Sequence, residues 1–112
     1  MINYNEEVGI RLRSVREIMN EGKKLTADQF AHLLEETGDR VRNYELGRTP
    51  IPIRLLKGLY DRGINPVYLL FGEGNVFADN SAGVKFQEIV EKRGLAQVSH
   101  LKVYSAAAGK IE

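Results

Sequence analysis

The segment from Gly38 to Asn43 carries two arginines and an asparagine within four positions, at Arg40, Arg42 and Asn43. Those side chains suit the edges of DNA bases. A guanidinium donates two parallel hydrogen bonds to guanine, and an asparagine amide pairs bidentately with adenine. Val41 and Tyr44, three residues apart, define the inward face if the segment is a helix. Gly38, Asp39, Arg40, Arg42 and Asn43 then lie opposite, and these five are the candidate base contacts. Arg42 alone would equally suit a plain solvated surface, whereas the spacing aims Asn43 toward a groove. Arg48 and Arg54 follow, placed to hold phosphates, which set register without reading sequence. Thr26 and the backbone amide of Ala27 open another helix, whose unpaired N–H groups offer a further phosphate contact.

Other chemistries are poorly supplied. There is no cysteine, hence no disulfide and no thiolate zinc site. His32 and His100 are the only histidines, and His32 reads as a surface helix residue. Ser99 with Lys102, or Ser105 with Lys110, could pair as nucleophile and base, but nothing nearby supplies an oxyanion hole or pocket, and no enzyme is expected. Gly72-Glu73-Gly74 follows no strand and reads as a helix stop rather than a phosphate loop. Tyr44, Tyr60 and Tyr68 fall at helical positions and are expected in the core. No metal, cofactor or small-molecule ligand is expected. Lys and Arg number 16 against 15 acids, a net charge of +1, so any attraction to DNA must come from local clustering. No apolar run approaches the roughly 18 residues of a membrane span. Met1 to Glu7 has neither the basic nor the apolar region of a signal peptide, and a cytoplasmic location is expected.

Short helices must position these groups. Val8, Leu12, Val15 and Met19 mark one face of a first helix, broken at Asn20–Lys24. Thr26 and Gln29 form a capping box, with Leu25 and Phe30 at hydrophobic-staple positions. They start a second helix from about Ala27 to Leu34, with Phe30, Ala31 and Leu34 inward. Glu35-Glu36-Thr37 is a turn. Thr37 caps a third helix that ends near Leu46 with Gly47 as its stop. Two helices joined by three residues have helix-turn-helix spacing, and small Ala31 lets them approach closely. Pro52 opens a fourth helix bearing Leu55, Leu56, Leu59 and Tyr60, stopped by Gly63. Asn65-Pro66 opens a fifth, ending at Gly72. The expected fold is an all-α, five-helix domain over residues 6–74.

Residues 75–112 read as a linker and tail outside that core. Asn75 to Gly83 is small and polar. Phe86, Ile89 and Val90 suggest a short helix over 82–93, and Leu101 to Tyr104 an extended segment. A lone helix of about ten residues is marginal in water, so its apolar stripe needs a partner. That partner is either the same chain or the tail of a second chain across a two-fold axis, the latter being favoured.

Four strings in order give the chain a resemblance. They are Val8-Gly9-x-Arg11-Leu12-Arg13; Leu25-Thr26 with Ala31; Val41-Arg42-Asn43-Tyr44-Glu45-x-Gly47; and Gly63-Ile64-Asn65-Pro66-Val67-Tyr68-Leu69-Leu70-x-Gly72-Glu73-Gly74. Together, over residues 8–74, they resemble the lambda-repressor/Cro-like helix-turn-helix family. The resemblance implies that the third helix is the recognition helix, with Gly38, Asp39 and Asn43 at base-reading positions. It further implies that Arg16 and Glu45 form an internal ion pair. The chain departs from the family at Glu35-Glu36, where relatives carry Gly and then an apolar residue, and at Gly38, where relatives often carry a side chain. Leu101-Lys102-Val103-Tyr104-Ser105-Ala106-Ala107-Ala108-Gly109 resembles the self-cleavage segment of LexA-like repressors, with Ala108-Gly109 as the bond that would be cut. The Ser/Lys catalytic domain that would follow is not in this sequence, so the resemblance implies a fragment of a longer repressor. The implied function is a phage- or prophage-type transcriptional repressor binding double-stranded DNA as a homodimer. The alternatives are an antitoxin-type autoregulator and a protein-interaction module that keeps the fold without binding DNA.

Overall fold

The computed structural model describes residues 3–93. Six helices follow one another: α1 (Tyr4–Arg16), α2 (Ala27–Leu33), α3 (Gly38–Glu45), α4 (Ile53–Asp61), α5 (Pro66–Phe71) and α6 (Ser81–Lys92). No strand occurs among the described residues; there are two isolated bridges, Asn20 with Lys23 and Ile64 with Phe77. No helix among them is long and apolar enough to cross a membrane. The fold is all-α.

Local chemistry sets most helix ends. The capping box of Thr26 and Gln29 starts α2, and Thr37 accepts from the Arg40 amide to start α3. A second capping box starts α1: Asn3 Oδ1 accepts from the Glu6 amide at 2.9 Å, and Glu6 Oε1 from the Asn3 amide at 2.8 Å. This places the helix start two residues before the expected domain boundary at residue 6. Val8, Leu12 and Val15 are buried on the expected face of α1. The helix stops at Arg16, however, and the turn that follows rotates the phase. Ile18, rather than Met19, is therefore the fully buried residue, and Met19 packs at the edge.

Gly9 is where α1 meets α3. A Cβ there would run into the backbone carbonyls of Tyr44 and Glu45. Two helices crossing this closely leave no room for a side chain. Gly47, at φ 76°, ends α3 in the left-handed region against the backbone of Glu6. Leu12, Phe30, Val41, Leu55, Leu59, Tyr68 and Leu69 fill the space between the helices. Tyr44 and Tyr68 are buried as expected. Tyr60 is not: Leu55 and Leu59 take the inward face of α4, and Tyr60 is left 41% exposed.

The segment after Gly74 is not the linker its composition suggests. Val76 and Ala78 are buried, and Val76 belongs to the core cluster. Its polar neighbours spend their side chains on the backbone. Asn65 Nδ2 donates to the Asn75 carbonyl at 2.8 Å, and Asn75 Oδ1 accepts from the Phe77 amide at 3.1 Å. The Asn65 amide donates to the Val76 carbonyl at 2.9 Å, and the Ala78 amide to the Gly63 carbonyl at 2.7 Å. Helix α6 then docks on its own chain through part of its apolar stripe, while Ile89 stays 37% exposed. Val90 enters the core at 2% exposure, and Phe86 stacks edge-on to Phe77 with ring centres 5.3 Å apart. Asn80 Nδ2 donates to the Tyr60 carbonyl, and Arg93 pairs with Glu21 at 2.7 Å. A Cβ on Gly63 would meet the backbone of Ala82 and Gly83 at 2.8–2.9 Å. The domain therefore extends through the described residues to Arg93. Leu101 to Tyr104 and the Ala108-Gly109 bond lie outside the described residues.

Two outcomes test this packing. Gly9→Ala should cost at least about 1–3 kcal/mol by overpacking, whereas Gly58→Ala, whose Cβ meets only Leu34 Cδ2 at an ordinary 3.7 Å, should stabilise by roughly 0.5–1 kcal/mol through helix propensity. Thermal melts of the two variants should move in opposite directions. Truncation after Gly74 removes two buried valines, each worth roughly 1.5 kcal/mol or more. It should lower Tm markedly, and an unchanged melt would return residues 75–93 to linker status.

Candidate nucleic-acid interface

Helices α2 and α3 pack against each other, and Phe30, Ala31, Val41 and Tyr44 are all buried. The turn between them is tight. The Glu36 amide donates to the Ala31 carbonyl at 2.8 Å, and Glu35 takes φ 58°. That left-handed conformation suits glycine best, which is the residue expected in the turn from the family resemblance. The next position, where an apolar residue is expected, points inward.

Glu36 occupies this inward position with a side chain only 2% exposed. Its carboxylate accepts from the Tyr44 hydroxyl at 2.9 Å, from Arg54 Nη2 at 2.6 Å, from the Thr37 amide at 3.3 Å and from Arg40 Nη1 at 3.5 Å. Burial alone pushes the carboxyl pKa up. The hydrogen bonds from Tyr44, Arg54 and Thr37 and the charge of Arg54 outweigh it, and the net direction is down. Burial, and then the bond to Glu36, raise the Tyr44 phenol above its ordinary value. The acid that would be unfavourable beside phosphates is thus an internal acceptor tying the turn to α3 and α4. Nothing in its local sequence marked it, because its partners lie up to 18 residues away.

On the far side of α3, Arg16 and Glu45 form a two-pronged pair, Nε to Oε2 at 2.6 Å and Nη2 to Oε1 at 2.9 Å, with both side chains largely buried. Arg16 Nη1 also donates to the Leu25 carbonyl. The hydrogen bond that Arg16 donates to Glu45 raises the Arg16 pKa further. The Arg11 guanidinium donates to the carbonyls of Leu69 and Leu70, closing the end of α5.

The candidate contacts divide into three groups. Asp39, Arg40 and Arg42 are exposed on α3, and Gly38 and Asn43 are half-buried beside them. Arg42 donates to Asp39 Oδ1 at 3.0 Å and to Asp28 Oδ1 at 3.2 Å. Arg54 is turned toward Glu36, with its Nη2 2.6 Å from Glu36 Oε2. Arg48 is exposed and has no side-chain partner among the described residues; its amide donates to the Asn43 carbonyl. Thr26 spends its hydroxyl and its N–H on the capping box with Gln29, and the first-turn amides of Ala27 and Asp28 have no acceptor within α2. Comparison with protein-family models, with curated proteins and with solved structures finds no match to the chain.

Glu36 gives a pH test. Its pKa in the folded chain lies below the ordinary 4.5, so the fold favours its charged form. That contribution is complete above about 4.5 and is lost as pH falls through the lowered value. Glu36→Gln should cost roughly 1–3 kcal/mol near neutral pH. The Tm gap between parent and variant should then narrow as pH drops below 4.5. A gap independent of pH would show that the carboxylate charge contributes nothing.

Proposed function

We propose that this chain is a sequence-specific DNA-binding transcriptional repressor of the lambda-repressor/Cro type, acting as a dimer. Helix α3 enters the major groove and presents Arg40, Arg42, Asn43 and Asp39 to base edges. The observation that carries this reading is the division of α3: Val41 and Tyr44 are buried, while Asp39, Arg40 and Arg42 are exposed and Asn43 is half-buried beside them. Arg48 and the Ala27 amide hold phosphates, and Arg54 joins them when a phosphate displaces Glu36. One such module supplies few base contacts, so tight binding calls for two half-sites about one helical turn apart.

One observation favours a second reading, a protein-interaction module with the same fold. Arg40, Arg42 and Arg54 are each paired with a carboxylate, which lowers their value as phosphate ligands. Salt dependence separates the two, because phosphate contacts release counterions.

Selection of bound duplexes from a random pool, with the stoichiometry of the complex, is the direct test. A two-fold-related consensus bound by two chains is expected. Arg48→Ala should lower affinity equally for all sequences and flatten the log–log salt slope by about 0.9. Binding that ignores salt and enriches no sequence would support the interaction module instead.

A further inference from the structure

Arg42 is held by carboxylates from two helices. Its Nη1 donates to Asp39 Oδ1 at 3.0 Å, one turn earlier on α3, and its Nη2 to Asp28 Oδ1 at 3.2 Å, on α2. Asp28 reaches this far because residue 38 is glycine. A Cβ at Gly38 would collide with the Asp28 carboxylate and sit 3.2 Å from Arg42 Nη1. The glycine that offers no side chain to DNA is therefore a notch through which α2 grips the arginine of α3.

The grip does little for the fold. Arg42, Asp28 and Asp39 have side-chain exposures of 49%, 75% and 94%, and ion pairs this wet add little stability. It does orient a long side chain before binding, which removes an ordering cost that association otherwise carries. It also selects the ligand. Two flanking carboxylates repel a phosphate but not the neutral edge of a base. A guanidinium has five N–H donors; two are engaged here, and the rest match guanine O6 and N7. A carboxylate accepts from the amino group of cytosine, and Asp39, the most exposed of the three, engages only its Oδ1 among the described residues.

From this geometry we infer that Asp28 and Gly38 are specificity-determining residues, which position Arg42 to read a G·C base pair rather than the phosphate backbone. Arg42 donates to the guanine, and Asp39 accepts from the paired cytosine. This rests on the DNA-binding reading above.

The test is selection from one random duplex pool by the full chain and by its Asp28→Asn, Gly38→Ala and Arg42→Lys variants. Affinities are then measured on the parent's selected site and on the same site with each G·C pair changed to A·T. Circular dichroism confirms folding. Gly38→Ala meets only an exposed, rotatable carboxylate and Arg42's own side chain, so it should fold and push Asp28 aside. The parent should fix one G·C pair per half-site and discriminate about tenfold or more there. Arg42→Lys keeps the charge but loses the fork, and should abolish that preference. Asp28→Asn and Gly38→Ala should weaken discrimination several-fold at that pair alone, with the salt slope unchanged. A consensus whose G·C pairs ignore all three variants overturns this inference and leaves DNA binding intact. So does an Asp28→Asn effect that is uniform across sequences and changes the salt slope, since the carboxylate would then act by charge alone. Failure of the folded parent to enrich any sequence overturns the DNA-binding reading, and this inference with it.

Discussion

A helix of eight residues does not hold its shape alone in water, and α3, which bears most of the candidate base contacts, is such a helix. It depends on being clamped. At Gly9, α1 lies against the carbonyls of Tyr44 and Glu45 too closely for any side chain. The Arg16–Glu45 fork fixes its last turn to α1, and Glu36 holds Arg40 near its start and Tyr44 near its end. Val41 seals the middle at 0% exposure. Each clamp draws on a different part of the chain, so α3 is positioned by the whole domain and not by its own sequence.

The clamps also explain a nearly neutral chain with an arginine-rich face. Buried charge is tolerated when its partner and hydrogen bonds are complete, and Glu36 meets that condition with four donors. The arginines it holds are then poor at neutralising phosphates. Affinity for DNA of arbitrary sequence comes mainly from such neutralisation. On the proposed DNA-binding reading, a protein that spends its cations internally would give up that sequence-independent term and rely on direct contacts to bases. Discrimination gained by weakening the wrong complex is as real as discrimination gained by strengthening the right one.

The parts of this fold that were legible in the sequence are those with local causes. Thr26 with Gln29, Thr37, Gly47 and Asn65-Pro66 act within a few residues, and α2, α3 and α5 begin or end where these residues say. The inward phase of α3 followed from Val41 and Tyr44 alone. Tertiary causes were not legible. Ile18 is buried because α1 stops and the chain turns. Glu36 looks like a solvated turn acid until Arg54 and Tyr44 are brought beside it. Val76 and Ala78 alternate over too short a stretch to signal an edge segment, and their asparagine neighbours read as linker because their amides' use as backbone partners is invisible in one dimension. At the candidate site, Asp39, Arg40 and Arg42 lie on the surface as spacing suggested, Gly38 and Asn43 are half-buried, and the pairing of Arg42 with Asp28 across the turn was not legible.

The docking of α6 bears on how two copies would associate. Its stripe was the favoured dimer seam while it had no partner. In the structure Val90 is within the core, and the Gly63–Gly83 approach locks the start of α6 to the α4–α5 turn. Val90 is thereby lost to any seam between chains, while Ile89 of the same stripe stays 37% exposed. The dimer of the proposed reading would draw on surface already exposed on the folded domain. Val67 and Phe71, 47% and 63% exposed, are four residues apart on α5 and share one face of it. Arg11 ties the carbonyls of Leu69 and Leu70 on that helix to α1, so a seam there would be rigidly linked to the same α1 that sets α3. Half-site spacing depends on such a link, because two recognition helices keep a fixed separation only if seam and helix belong to one rigid body.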